Sequence, residues 1–431
     1  MKFYSTNNSK NLVSLQEAVI KGLAPDNGLY MPERIPVFST DFFNSLSQKS
    51  FQEIAFAVAK ELVGGDISSD QLKKIIDHTI SFDAPLVEVE KNIFALELFH
   101  GPTLAFKDFG ARFMSQMLGH FAKQQNREIV ILVATSGDTG SAVANGFLGV
   151  PGTRVIVLYP QGKVSEIQEK QFTTLGKNIT AIEMNGTFDD CQRLVKQAFL
   201  DQELNKSFFL TSANSINIAR LIPQSFYYFY AWSRLPKNKN VVFSIPSGNF
   251  GNLTAGLIAK KMGLPIQHFI AATNINDIVP HYLATKEFSP KPSASTISNA
   301  MDVGNPSNFA RMLDLFNHDH SFMKNEITGY SFTDEETRDT MREVYEKFNY
   351  TLDPHGAIGY LGLKKYQSQN PESVGVFLET AHPAKFLDVV ESTLQKKVPI
   401  PDDLKLFLSG NKKSIACEAD FISFKNLLQK V

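Results

Sequence analysis

A chain of 431 residues is too long for one ordinary hydrophobic core, so it divides into two or three domains. Its 43 lysines and arginines against 44 aspartates and glutamates leave a net charge of -1, which gives no field for nucleic acid or an anionic membrane and confines any anion site to a local one. Two cysteines, Cys191 and Cys417, exclude a disulfide framework; with no signal-peptide core and no membrane-spanning apolar run, they predict a cytoplasmic protein.

Residues 1–85 carry helical patterns at 14–21 and 51–62 with little strand alternation, which predicts a mainly helical N-terminal domain. Between them, Pro25-Asp26-Asn27-Gly28 is a turn by its own chemistry. From 86 onward, strand, loop and helix alternate. The stretch 93–98 reads as an apolar strand and 109–117 as an amphipathic helix. Further short runs rich in Val, Ile and Phe lie at 129–134, 154–159, 179–184, 241–245, 269–273 and 374–378. Buried strands alternating with helices predict parallel α/β sheets with ligands at the carboxyl ends of the strands, and two such sheets fit the length. The aromatic run 226–232 has no basic residues nearby, so it reads as a core helix and not as a base-stacking surface.

Lys107 stands where strand hands over to helix, among Leu104, Ala105, Phe106 and Phe109. A buried ammonium without a partner tends to lose its proton, and a neutral lysine is a nucleophile toward carbonyl groups, including that of pyridoxal phosphate. The plain alternative is a surface lysine whose stem lies on apolar neighbours. Ser247-Gly248-Asn249-Phe250-Gly251-Asn252 follows a strand and opens a helix, so its amides can close on an anion, yet it matches neither the P-loop nor the dinucleotide fingerprint. Thr135-Ser136-Gly137-Asp138-Thr139-Gly140 sits the same way and suits an α-carboxylate, or simply caps its helix. His318-Asp319-His320 lacks a third ligand at metal spacing and reads as a solvated loop.

The stretch HGPTLAFKDFGARF, residues 100–113, resembles the cofactor-lysine motif of threonine synthases, pyridoxal-phosphate enzymes of fold type II in the tryptophan synthase β-subunit superfamily. GLAPDNGL (22–29), TSGDTG (135–140), SGNFGN (247–252) and ETAHPAKF (379–386) also fit, in family order. Asn27 departs mildly from the usual glycine, since Asn tolerates the same left-handed backbone. Residues 301–308 resemble a further family loop, with no physical role evident from the residues alone. The implied architecture is two parallel-sheet α/β domains of the tryptophan synthase β-like kind behind the mainly helical one. The expected division is 1–85, then 86–110 plus 206–431 for the larger pyridoxal-phosphate-binding domain, and 111–205 for the smaller.

The resemblance implies that Lys107 is the catalytic residue and holds pyridoxal 5'-phosphate, with Gly248, Asn249, Phe250, Gly251 and Asn252 on the cofactor's phosphate. Glu379 and Thr380 point to opposite faces of their strand; a carboxylate would keep the pyridine nitrogen protonated and a hydroxyl allows a neutral ring. The resemblance selects Thr380. It implies O-phosphohomoserine as substrate, converted with water to threonine and phosphate by γ-elimination and β-addition, in a monomer or homodimer with no nucleic-acid or membrane partner. Thr135, Ser136, Asp138 and Thr139 are expected to bind the substrate's amino-acid end. For its phosphate, Ser215, Asn217 and Arg220 at one helix start, Lys163 and Arg112 are the candidates. Asp138 replaces the superfamily's usual Asn and leaves open how the cofactor's phenolic oxygen is met. His382 and Lys385 are expected to cap or solvate the following helix. A serine or threonine dehydratase with the same cofactor is the alternative enzyme, and a degenerate binding protein the non-enzymatic one.

Overall fold

In the computed structural model, residues 1–123, 128–236 and 239–431 are described. β1 (Lys2–Ser5), β2 (Asn8–Ser14) and β3 (Tyr30–Pro32) form a small antiparallel sheet in the order β2-β1-β3. This sheet adds strands to a segment whose sequence pattern showed only helices. The reason is that β2 reads NSKNLVS and buries Val13 alone, so no alternation marks it. The expected helices are present: Leu15–Lys21 is capped by the Ser14 hydroxyl, and Phe51–Val63 opens with a capping box of Ser50 and Glu53.

Beyond residue 85 the strands are β4 (Leu86–Glu90), β5 (Ile93–Glu97), β6 (Ile129–Ala134), β7 (Thr153–Pro160), β8 (Ile179–Asn185), β9 (Phe209–Ser212), β10 (Val241–Pro246), β11 (His268–Thr273), β12 (Ile327–Ser331), β13 (Val374–Glu379) and β14 (Ile415–Glu418). They build a six-stranded sheet, β12-β11-β10-β13-β5-β4, and a five-stranded one, β14-β8-β7-β6-β9. All pairings are parallel except that of the edge strand β4. The central strands β6, β10 and β13 are buried along their whole length because helices cover both faces, which is why they read as unbroken apolar runs.

The smaller sheet does not stay within 111–205. β9 and β14 come from outside that span and supply its two edges, and the C-terminal helix Phe421–Leu428 packs Phe424 and Leu428 into the same core as Leu194 and Val195. A parallel sheet accepts any segment that satisfies its open edge, so the chain returns to it after leaving the larger sheet. The helix Lys107–Ala122 joins the two halves. It starts beyond β5 of the larger sheet and lies along the helix Asp138–Phe147 of the smaller one, where a Cβ on Gly146 would come within 3.1 Å of the Ala111 carbonyl carbon. The aromatic run forms the helix Phe226–Arg234, with Phe226, Tyr227, Tyr228 and Phe229 all in the core. No helix among the described residues is long and apolar enough to cross a membrane.

Candidate active site

Direct contacts link the turns after β5, β13, β6, β9 and β10 in series. Phe106 N–H donates to the Thr380 carbonyl at 2.8 Å. Lys385 Nζ lies 2.7 Å from Asp138 Oδ1. The Asn214 amide reaches the Ala134 carbonyl at 3.2 Å, and the Asn249 amide donates to Ser215 Oγ at 2.6 Å. Both sheets therefore contribute to one site at their carboxyl ends.

Lys107 is the first residue of its helix, with Nζ 5.8 Å from the Phe106 ring centre. The residue keeps some accessible surface, as a reacting group must, while the protein around it removes most of the amine's water. That burial pushes its amine down to about 8; Asp138 opposes the shift, and Arg220 and Lys385 add to it.

The loop after β10 is braced from within. Asn252 accepts from the Ser247 hydroxyl and donates to the Pro246 carbonyl, and Asn249 accepts from Ser307 N–H at 2.6 Å. The residues 301–308 thus acquire a role, since Asn308 also donates to the Asn249 carbonyl at 3.1 Å. Phe250 takes a left-handed φ of 58°, and a Cβ on Gly248 would come within 2.7 Å of Met301 Cα. With the asparagine side chains used as braces, the main chain remains. Among the described residues, no backbone N–H from Gly248 to Asn252 donates to a protein acceptor. Five unused donors at the start of the helix Gly251–Lys261 form an anion cradle.

The loop after β6 divides its labour similarly. The Thr135 hydroxyl accepts from Gly137 N–H at 3.0 Å and Gly140 N–H at 2.8 Å, so it holds the loop's shape. The hydroxyls of Ser136 and Thr139, and the N–H groups of Ser136, Asp138 and Thr139, have no partner among the described residues. Asp138 Oδ1 receives Lys385 Nζ and, at 2.8 Å, Gln168 Nε2. Burial favours the neutral acid, yet Lys385 and then Lys107 outweigh it and hold the Asp138 carboxyl at about 2.

At the end of β13, alternation is as expected. Glu379 points to the helix Pro354–Gln367, where its carboxyl occupies the space a Cβ on Gly356 would need. Neither Glu379 oxygen has a donor, because its neighbour is the Asp353 carboxyl; burial and then Asp353 push Glu379 well above the usual range, and its proton serves both groups. His355 Nε2 accepts from Ala300 N–H, so Nδ1 carries the proton and donates to Asp353 at 2.5 Å. Thr380 lies on the other face, buried, with a hydroxyl that makes no hydrogen bond to the described residues.

The basic and amide candidates separate clearly. Arg220 is buried, donates to the Ala213 carbonyl at 2.5 Å, has a partnerless Nε and faces Lys107 and Asp108. Ser215 is tied to Asn249, and Lys163 is exposed in the turn after β7. Asn217 is used up as a helix cap and as a donor to the Val19 carbonyl. Arg112, about 140° round the helix from Lys107, turns outward to the His78 carbonyl and Ser81. His382 does cap, accepting from Ala384 N–H at 3.0 Å, but Lys385 turns inward. Asp319 caps the helix His320–Glu326, and His320 meets the Tyr282 and Leu283 carbonyls.

Comparison with known proteins decides the family. A model described as "Pyridoxal-phosphate dependent enzyme" matches residues 80–380, and those for "Threonine synthase N terminus" and "Threonine synthase, C-terminal" match 2–80 and 356–427. The chain is 45% identical to the threonine synthase of Escherichia coli (strain K12) over 99% of each chain. Its structure matches that of threonine synthase from Escherichia coli with a TM-score of 0.93 at 44% identity, covering 100% of both chains. It matches the PLP-bound threonine synthase from Brucella melitensis with a TM-score of 0.94 at 34% identity, covering 100% of this chain and 99% of that one. The chain belongs to the threonine synthase family.

Its activity is that of a threonine synthase, a lyase that uses pyridoxal 5'-phosphate, and the dehydratase alternative is not favoured. The residues present fit that cofactor. A cradle of unused main-chain donors, a lysine kept largely free of water and an unengaged hydroxyl surround one site.

Proposed function

We propose that this site converts O-phosphohomoserine and water to threonine and phosphate, with Lys107 as the catalytic residue. The observation that supports it best is the pairing of Lys107 with two separate sets of unused donors, at 248–252 and at 136–139, because substrate and cofactor each bring an anion. When bound, pyridoxal phosphate supplies an electron sink for the negative charge developed at Cα and Cβ. The amides of Gly248, Asn249, Phe250, Gly251 and Asn252 grip its phosphate, aided by the positive end of the helix. Thr380 would hold the pyridine nitrogen through its hydroxyl, and a hydroxyl there, unlike a carboxylate, would not keep that nitrogen protonated.

Ser136, Thr139 and the amide of Asp138 bind the substrate's α-carboxylate, while Thr135 keeps their loop in shape. Arg220 meets the substrate phosphate with its free guanidinium edge, and Ser215 and Lys163 extend that subsite. Lys107 moves protons at Cα and Cβ as phosphate departs from Cγ and water adds at Cβ. A low-pKa amine suits this work because it both accepts and returns a proton near neutral pH. We place the larger domain on the six-stranded sheet and the smaller on the five-stranded one, with the N-terminal domain at 1–85.

The Lys107→Ala variant tests the reading. Borohydride reduction followed by peptide mass spectrometry should find pyridoxyl on Lys107 in the natural chain and none at that position in the variant, and phosphate release from O-phosphohomoserine should stop. Undiminished release in the variant, or 2-oxobutyrate from threonine as the faster reaction of the natural chain, would overturn it.

A further inference from the structure

Lys385 lies in the single turn Pro383–Phe386 that follows β13. Its side chain is 0% exposed, with Nζ 2.7 Å from Asp138 Oδ1 and 2.7 Å from the Thr103 carbonyl oxygen. Asp138 opens the helix after β6, so this ion pair crosses from the larger sheet to the smaller at the floor of the site. Thr103 in turn holds Asp108, the neighbour of Lys107, through its N–H at 2.9 Å and its hydroxyl at 2.7 Å. One buried ammonium is thereby joined directly to Asp138, which faces the Lys107 amine, and through Thr103 to Asp108, the chain neighbour of Lys107.

Burying an ammonium is costly, and a neutral donor could satisfy the Thr103 carbonyl, which Gln171 already reaches at 3.1 Å. What only a lysine or arginine supplies here is the charge. Without it, Asp138 would be an unpaired acid sunk in protein, driven by burial toward its protonated form and, where still ionised, repelling any anionic oxygen of the cofactor set against it.

We propose that Lys385 is a positioning residue that sets the charge balance of the cofactor pocket: it keeps Asp138 a carboxylate, makes that corner neutral toward the phenolic oxygen, and keeps surplus protons away from Lys107. This rests on the reading that Lys107 carries the cofactor. The groups facing Lys385 are Asp138, Lys107, Asp108 and His382, and Arg220 faces Lys107 and Asp108 from the helix Ile218–Leu221. Lys385 and Arg220 act on Lys107 in the same sense, and Asp138 opposes them.

A charge cycle on the holoenzyme tests this without turnover. The pH midpoint of the bound cofactor's visible absorbance is measured in the natural chain, K385M, D138N, K385M/D138N and K385R. Loss of one charge at a buried site should raise the midpoint by about one pH unit or more in K385M and lower it in D138N. The double variant should return to within about 0.3 unit of the natural chain, and K385R should restore most of the shift, since both keep the charge sum. A K385M midpoint within about 0.3 unit of the natural one, or a shift of the same sign as that of D138N, overturns the assignment. Where K385M does not fold, D138N against the double variant reads the same sign with no carboxylate left unpaired. Absence of pyridoxyl on Lys107 in the natural chain defeats the underlying reading instead, whereas its presence with unmoved midpoints defeats only the role of Lys385.

Discussion

Lys107 is a base that folding makes more acidic, from 10.5 to about 8, and the sign of that change has consequences. A group that binds fewer protons when folded makes folding more favourable as pH rises between the two values, here from about 8 to 10.5. The neutral amine, the form able to attack the cofactor's aldehyde, grows through the same lower value. The rate of cofactor uptake by the stripped chain should therefore climb about tenfold per pH unit from pH 6 toward 8 and level off above about 9. Rapid-mixing absorbance would show it, and a rate flat from pH 6 to 9 would contradict a buried amine. Asp138 takes no part in this window, because Lys385 and Lys107 hold its carboxyl at about 2 against the effect of burial.

Among the elements, the loops matter through what packs behind them. The turn 247–252 lies against the Asn299–Met301 turn so closely that any side chain at Gly248 must displace one of them. G248A should weaken cofactor binding by about tenfold or more, the equivalent of shifting one or two hydrogen bonds out of line. Equilibrium dialysis gives the affinity, and urea unfolding of the cofactor-free chain should show a loss of about 1–3 kcal/mol, since the added Cβ meets the backbone of buried Met301. Binding unchanged in G248A would mean that the cradle tolerates a Cβ and that its glycine is incidental. Tyr228 supports the same helix from inside the core, its hydroxyl donating to the Asn252 carbonyl at 2.8 Å. The aromatic helix is thus a strut for the cradle as well as core filling.

Across the whole molecule, Arg311 ties the N-terminal domain to the site. Fully buried, it donates to the Tyr30 carbonyl at 3.0 Å, to Ile216 at 2.7 Å, and to Asn308 Oδ1 at 2.7 Å. Asn308 braces Asn249, so a contact that begins at β3 ends at the anion cradle. Burial pulls its guanidinium down to about 9, with Asp314 opposing. R311M should lower stability by about 3 kcal/mol or more, because several buried carbonyls lose their donor at once. Urea unfolding measures the loss, and cofactor affinity should fall with it. A stable R311M with unaltered affinity would show that the N-terminal domain and the cradle are independent.

Where a feature rests on a few consecutive residues, the sequence alone located it. Lys107 between a strand and a helix, the glycines of 247–252, the hydroxyls of 135–140 and the alternation that separates Glu379 from Thr380 are local consequences of residue type and strand period. The apolar runs marked β6, β10 and β13 for the same reason, since burial on both faces leaves a continuous signature. Tertiary structure decided everything that depends on a distant partner. Arg112 and Arg220 look equivalent as residues, yet helix phase turns one outward and packing turns the other to Lys107. β2 and β14 are mostly exposed edge strands that exist because a neighbouring edge is open. Lys385 read as a helix-end cation until folding set it against Asp138, because an ion pair between remote residues leaves no mark in the spacing of either.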